Sequence, residues 1–159
     1  MRLKPDYILD SIYDIDKNDL KNKGIKGIFF DLDSTVMKSK AGKFTKKTLE
    51  FLSDLEHDFK VAIISNNHSK SYIDKVRKIS PVKVYGNARK PDVKVLKLAC
   101  FELGLEVNEV VMVGDRPLTD ILAGKKTGMK TILVDSISKN EENKIVRFVR
   151  FLERLTIKK

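Results

Sequence analysis

At 159 residues the chain suits one domain built on a single core, and its 42% apolar residues are enough to fold on. Lys and Arg number 32 against 22 Asp and Glu, and the resulting charge of +10 favours anionic partners: nucleic acid, anionic lipid headgroups or small phosphorylated molecules. The single cysteine, Cys100, excludes an intrachain disulfide, and no apolar run approaches the roughly 18–20 residues of a membrane span. The opening Met1-Arg-Leu-Lys-Pro-Asp lacks the apolar core of a signal peptide, so a cytoplasmic protein able to lie on a membrane is expected. Cys100 falls in an apolar helical stretch and reads as a buried reduced thiol.

Residues 5–21 read as a helical appendage. From residue 25 onward, short apolar runs alternate with helical patterns. Strands are expected over 25–31, 60–65, 82–85, 110–114 and 131–134, and helices over 45–56, 69–78, 92–103 and 118–127. A second helical appendage is expected over 141–159, within a single domain spanning 1–159. Thr45, Asn67 and Asp92 suit helix caps, Pro91 and Pro117 suit first turns, and Gly104 and Gly128 suit helix ends. Strands separated by helices of this length imply right-handed crossovers, hence an α/β fold with a central parallel sheet covered on both faces.

In such sheets ligands bind beyond the carboxyl ends of the strands. The polar residues of these apolar runs fall there: Asp31 and Asp33 after the first, Ser65 and Asn66 after the second, and Asp115 after the fourth. Two carboxylates spaced i, i+2 past a buried strand are costly unless a cation or hydrogen bonds compensate them. Mg²⁺ accepts hard oxygen ligands of this kind together with a substrate phosphate. A carboxylate can also attack phosphorus, and a second can protonate the leaving alkoxide and activate water. Alone, an Asp-x-Asp pair equally turns the chain after a strand. Ser65-Asn66-Asn67 at a helix start can cradle phosphate or simply cap. Lys90 can neutralise a phosphoryl oxygen, and Asp115 with Asp120 can ligate a metal or orient its ligands.

Asp31-x-Asp33-x-Thr35, Ser65-Asn66, Lys90-Pro91 and Gly114-Asp115-x-x-x-x-Asp120 together resemble the four motifs of the haloacid dehalogenase (HAD) superfamily. The resemblance implies a capless Rossmann-like three-layer sandwich, Mg²⁺ and a phosphoaspartate mechanism. By motif, Asp31 is then the nucleophile and Asp33 the general acid/base. Ser65, Asn66 and Lys90 become phosphate binders, Thr35 a supporting residue, and Asp115 and Asp120 the acidic pair of the metal site. Asp31, the Asp33 main-chain carbonyl and Asp115 are the metal ligands implied. A narrower likeness, to subfamily IIIA of the YqeG type, runs along nearly the whole chain. It includes the opening Leu3-Lys-Pro-Asp-Tyr, Ser11-Ile-Tyr-Asp-Ile, Gly24-Ile-Lys-Gly-Ile and Thr119-Asp-Ile-Leu-Ala-Gly. That group is related to phosphatidylglycerophosphate phosphatases. Ser34 and Val36 stand where Asn and Leu are expected, and Arg116-Pro117 replaces a more usual Gln-aliphatic pair.

Substrate-selecting caps in the family this chain resembles are inserted between these motifs, and with the intervals here short the resemblance implies an open site, suited to bulky or surface-presented phosphomonoesters. Ile145, Phe148, Val149, Leu152 and Leu155 recur at helical spacing, with Lys144, Arg147, Arg150, Arg154, Lys158 and Lys159 around them. Such a helix can rest on anionic lipid or pack on the sheet or a partner subunit. The expectation is a phosphatase of a lipid phosphate, phosphatidylglycerophosphate, at a membrane surface. The alternatives are a soluble or macromolecular phosphomonoester, including nucleic-acid ends, or a non-catalytic anion-binding module. Nucleic acid is disfavoured because no clustered basic-aromatic surface is legible.

Overall fold

The computed structural model describes residues 3–137 and 144–157. Six strands form one sheet: β1 (Tyr7–Leu9), β2 (Gly27–Phe30), β3 (Lys60–Ile64), β4 (Lys83–Tyr85), β5 (Val110–Gly114) and β6 (Lys130–Val134). Their order is β1-β6-β5-β2-β3-β4, and every pairing is parallel. Six helices accompany them: α1 (Lys17–Asn22), α2 (Lys46–Leu55), α3 (Lys70–Ile79), α4 (Lys94–Leu103), α5 (Leu122–Thr127) and α6 (Lys144–Arg154).

The five strands expected from residue 25 onward are all present, displaced by at most a few residues at their ends. Strand β2 lies at the centre and is buried along its whole length, which is why it reads as an unbroken apolar run. Its alternate side chains face opposite layers. Ile28 and Phe30 join Val61, Ile63, Val111 and Val113 under α2 and α3, with Leu52, Leu55, Ile73 and Val76 from those helices. Phe29 joins Ala62, Ile64 and Met112 under α4 and α5, with Leu96, Ala99, Cys100 and Ala123. The result is the three-layer sandwich expected. Cys100 is free and buried, and burial pushes its thiol up to about 11, so it is an inert core group.

Helix ends follow the turn chemistry with two shifts. Thr45 caps α2 by accepting from the Thr48 N–H, and Gly104 and Gly128 end α4 and α5 at φ +68° and +94°. Ser69 rather than Asn67 caps α3; Asn67 Oδ1 instead accepts from the Ser69 N–H at 2.8 Å, holding the approach. Asp92 lies two residues before the start of α4, accepting from the Lys94 N–H at 2.9 Å.

The amino-terminal stretch differs from the expected helical appendage. Residues Tyr7–Leu9 add a sixth strand beside β6, followed by a 3₁₀ turn at Ile12–Asp14 and the short α1. Three residues are too few to display a period of two, so the strand carried no signal of its own. Its anchor is Asp6, whose Oδ2 accepts from the Thr131 N–H at 2.8 Å and from Lys125 Nζ at 3.0 Å. Ile12, Ile15 and Leu20 then extend the α2/α3 core layer beneath β1 and β6.

Phe30 is fully buried and meets Phe51 edge-on, with ring centroids 6.3 Å apart. Phe30→Ala is expected to lower the unfolding free energy by about 3–5 kcal/mol, measured by urea denaturation.

Candidate active site

The acidic residues gather where β2 and β5, which are paired, release the chain. Asp31 follows β2 directly, its N–H donating to the Val113 carbonyl at 2.9 Å. Asp115 follows β5. Asp120 returns to the same point because Pro117–Ile121 winds as a wide π-helical turn where the opening of the 118–127 helix was expected. The Asp120 N–H donates to the Arg116 carbonyl at 2.9 Å, and its Oδ2 accepts from the Arg116 N–H at 3.1 Å. Gly114 makes that return possible. A Cβ there would lie 2.3 Å from the Asp120 carboxyl carbon, so this position takes glycine for space rather than for backbone freedom.

Lys90 organises the group. Its ammonium is buried and donates to Asp31 Oδ1 at 2.7 Å, Asp120 Oδ1 at 2.7 Å and the Ile64 carbonyl at 2.8 Å, one acceptor for each hydrogen. Its pKa is raised: burial opposes the charge, but the Asp120 and Asp31 carboxylates outweigh it and keep the ammonium protonated. Asn66 grips the Lys90 main chain at both ends, Oδ1 accepting from the N–H at 2.6 Å and Nδ2 donating to the carbonyl at 3.0 Å. Its side chain was expected on phosphate; in the structure its amide also positions Lys90. Ser65 is buried, its Oγ accepting from the Asn67 N–H at 3.0 Å. Thr35 Oγ1 donates to Asp115 Oδ1 at 2.9 Å and lies 3.4 Å from Asp31 Oδ2, joining the two acids from the other side.

Asp33 stands apart. Its Oδ1 accepts from Tyr72 Oη and the Lys40 N–H, both at 2.8 Å, and its carboxylate is not in the Asp31–Asp115–Asp120 group. Tyr72 was not singled out in the sequence; nothing in one tyrosine of α3 marks it. The other unforeseen partner is Glu153 on α6, buried and paired with the Arg116 guanidinium through two bonds of 2.9 and 3.1 Å.

The three acids fit a divalent cation. One carboxylate oxygen from each of Asp31, Asp115 and Asp120 lies within 4.8 Å of the others. Asp120 is raised to about 7 by burial and by repulsion from Asp31 and Asp115, despite its bond to Lys90. Crowded hard-oxygen donors whose mutual repulsion holds a proton at neutral pH suit Mg²⁺, which relieves that repulsion and satisfies the oxygens.

The fold is shared with solved structures. It is similar to a HAD phosphatase from Thermococcus onnurineus (TM-score 0.59, 16% identity, 75% of this chain and 89% of that one). It is also similar to a HAD family enzyme from Bacteroides thetaiotaomicron in complex with magnesium and inorganic phosphate (TM-score 0.56, 14% identity, 78% and 99%). The HAD-hydrolase-like family model matches residues 87–147, the interval carrying Lys90, Asp115 and Asp120. Fold and relatives together define a phosphatase of the HAD class, a phosphoric monoester hydrolase. The Bacillus subtilis (strain 168) "Probable phosphatase YqeG" is 33% identical over 151 residues, covering 94% of this chain and 87% of that protein. The Arabidopsis thaliana "Phosphatidylglycerophosphate phosphatase 1, chloroplastic/mitochondrial" is 30% identical over 156 residues, and the match spans 44% of its length. The chain belongs to the YqeG family of HAD phosphatases.

Gly114→Ala is expected to displace the Asp120 carboxylate and loosen Lys90, lowering turnover of an aryl phosphate by about 10²-fold through misplacement alone, while circular dichroism stays native. The shifted Asp120 also predicts a pH dependence. Its folded pKa near 7 lies above the ordinary value of 3.8, so the folded state keeps a proton that the unfolded chain releases. The contribution of Asp120 to stability measured in chelator should therefore fall as pH rises toward 7, so the wild type should lose stability relative to Asp120→Asn over that range.

Proposed function

We propose that this phosphatase hydrolyses phosphomonoesters through an aspartyl-phosphate on Asp31, and that its substrate is phosphatidylglycerophosphate at a membrane surface. The observation that carries the chemistry is accessibility. The Asp31 side chain is 14% exposed whereas those of its partners Lys90 and Asp120 are 1% exposed, so among these three Asp31 is the group a substrate reaches. Lys90 holds Asp31 Oδ1 and Thr35 approaches Oδ2, so the attacking carboxylate is oriented before substrate arrives.

In the first step an Asp31 oxygen attacks phosphorus, and the bond to the alcohol oxygen breaks as Asp33 delivers its proton to that oxygen. In the second, Asp33 takes a proton from water, the water oxygen attacks phosphorus, and the bond to Asp31 breaks. Inorganic phosphate leaves and Asp31 is restored. Asp31, Asp115 and the Asp33 main chain, with Asp120 beside them, would hold Mg²⁺, which when bound would supply charge neutralisation at the phosphoryl oxygens. In this reading Ser65, at the end of β3, binds the phosphate once substrate enters, while Lys90, its hydrogens engaged, acts by fixing Asp31 and Asp120.

The lipid assignment rests on the Arabidopsis relative and on α6. Glu153 and Arg154 face the body, through Arg116 and through the Val134 carbonyl and Asp135. Phe148, Val149, Phe151, Leu152 and Leu155 are 39–60% exposed, an apolar face on a chain of charge +10. Ile145, Lys144, Arg147, Arg150, Lys158 and Lys159 lie outside the described side chains. No described helix is long and apolar enough to cross a membrane, so contact would be in the interfacial plane.

With Mg²⁺ and p-nitrophenyl phosphate, Asp31→Asn is expected to reduce turnover by on the order of 10³-fold or more. Turnover independent of Asp31 sinks the mechanism. In a substrate panel, phosphatidylglycerophosphate in anionic vesicles should give the highest kcat/KM, with salt-sensitive vesicle association; faster turnover of nucleotides, sugar phosphates or nucleic-acid ends sinks the lipid assignment.

A further inference from the structure

We propose that Tyr72 is a positioning residue for proton transfer: it holds one oxygen of Asp33 so that the other carries the proton to the leaving group. This rests on the reading of Asp33 as the proton-transfer partner and adds to it a group outside the four motifs.

The argument begins with how the two donors are distributed. Tyr72 Oη and the Lys40 N–H both donate to Asp33 Oδ1, each at 2.8 Å, and no donor among the described residues reaches Oδ2. An oxygen that already accepts two hydrogen bonds is the carbonyl-like oxygen of a carboxylic acid. When Asp33 carries its proton, Oδ2 is therefore the oxygen left to hold it. Without such a bias the proton is shared between the two oxygens and the carboxyl rotates about its last bond, so that only part of the population is ready to donate.

Tyr72 is equipped for this task by its own surroundings. It lies on the first turn of α3, where Ser69 Oγ accepts from its N–H, and its ring packs against the buried cluster under α2 and α3. Its hydroxyl also lies 3.4 Å from Met37 Sδ, in the segment that leaves Asp33. The second donor is a main-chain N–H on Lys40, whose φ of +56° turns the backbone back toward Asp33. One donor thus comes from the scaffold helix and one from the loop, and the carboxyl is clamped between them.

The test uses two substrates of similar size and different leaving group. Departure of p-nitrophenolate needs little protonation, whereas departure of the benzyl alkoxide requires it. Tyr72→Phe should lower kcat/KM, which covers steps up to alcohol departure, by about 10-fold or more for benzyl phosphate and by less than about 3-fold for p-nitrophenyl phosphate. In an Asp33→Asn background it should have no further effect. The ratio between substrates is independent of the fraction of folded enzyme in a preparation, so a destabilised variant still reports. Equal losses on both substrates, or none, overturn the role of Tyr72. Benzyl phosphate turnover that survives Asp33→Asn overturns the underlying assignment of Asp33, and with it this proposal.

Discussion

The site depends on one buried ammonium. Lys90 lies in the loop after β4, yet its three hydrogens reach the chain after β2, the turn after β5 and the last carbonyl of β3. A lysine so deeply buried is costly unless every hydrogen has an acceptor and its charge has a partner. Here both conditions hold, and the stringency works in both directions. Asp31 and Asp120 cannot leave without stranding a cation, and Lys90 cannot leave without forcing two carboxylates to face each other. Asn66 secures the arrangement by gripping the Lys90 main chain rather than its side chain.

Around that ammonium the parallel sheet acts as a register. The pairing of Phe30 with Ile63 and with Val113 sets the ends of three strands level, so the residues following β2, β3 and β5 emerge at one height. Gly114 and the π-helical turn then bring Asp120 back into the cluster, five residues after Asp115. Ordinary helix geometry from Pro117 onward would have spaced these acids differently. The irregular turn is the local compromise that the site imposes on an otherwise regular fold.

Most of this was legible in the sequence because burial writes simple patterns. The runs at 27–30, 61–64 and 110–113 are apolar and buried, and the carboxylate, serine and glycine that follow them mark the strand ends. The rest was not legible, for three reasons. Elements too short to show a period, such as β1, took their structure from a neighbour rather than from their own residues. Pairings across long separations were equally silent: Tyr72 reaches Asp33 from 39 residues away, and Glu153 reaches Arg116 from 37. Ser34 shows a third case. The resemblance suggested Asn at that position, and its φ of +69° is a left-handed conformation that Asn adopts more readily than Ser; the motif preference has a backbone cause.

The clasp between Arg116 and Glu153 carries an evolutionary consequence. Arg116 is one of the departures from the expected family pattern, and its guanidinium partners an acid that is itself buried on the terminal helix. Replacing Arg116 alone strands the buried Glu153 carboxylate, whereas the half-exposed Arg116 can turn to water, so the tie runs mainly from 153 to 116. Lineages that carry an uncharged residue at position 116 should also lack the acid at 153, and the exchange should pass through paired substitutions. The turn bearing Asp120 and the distant helix would thereby covary, although neither is a neighbour of the other in sequence.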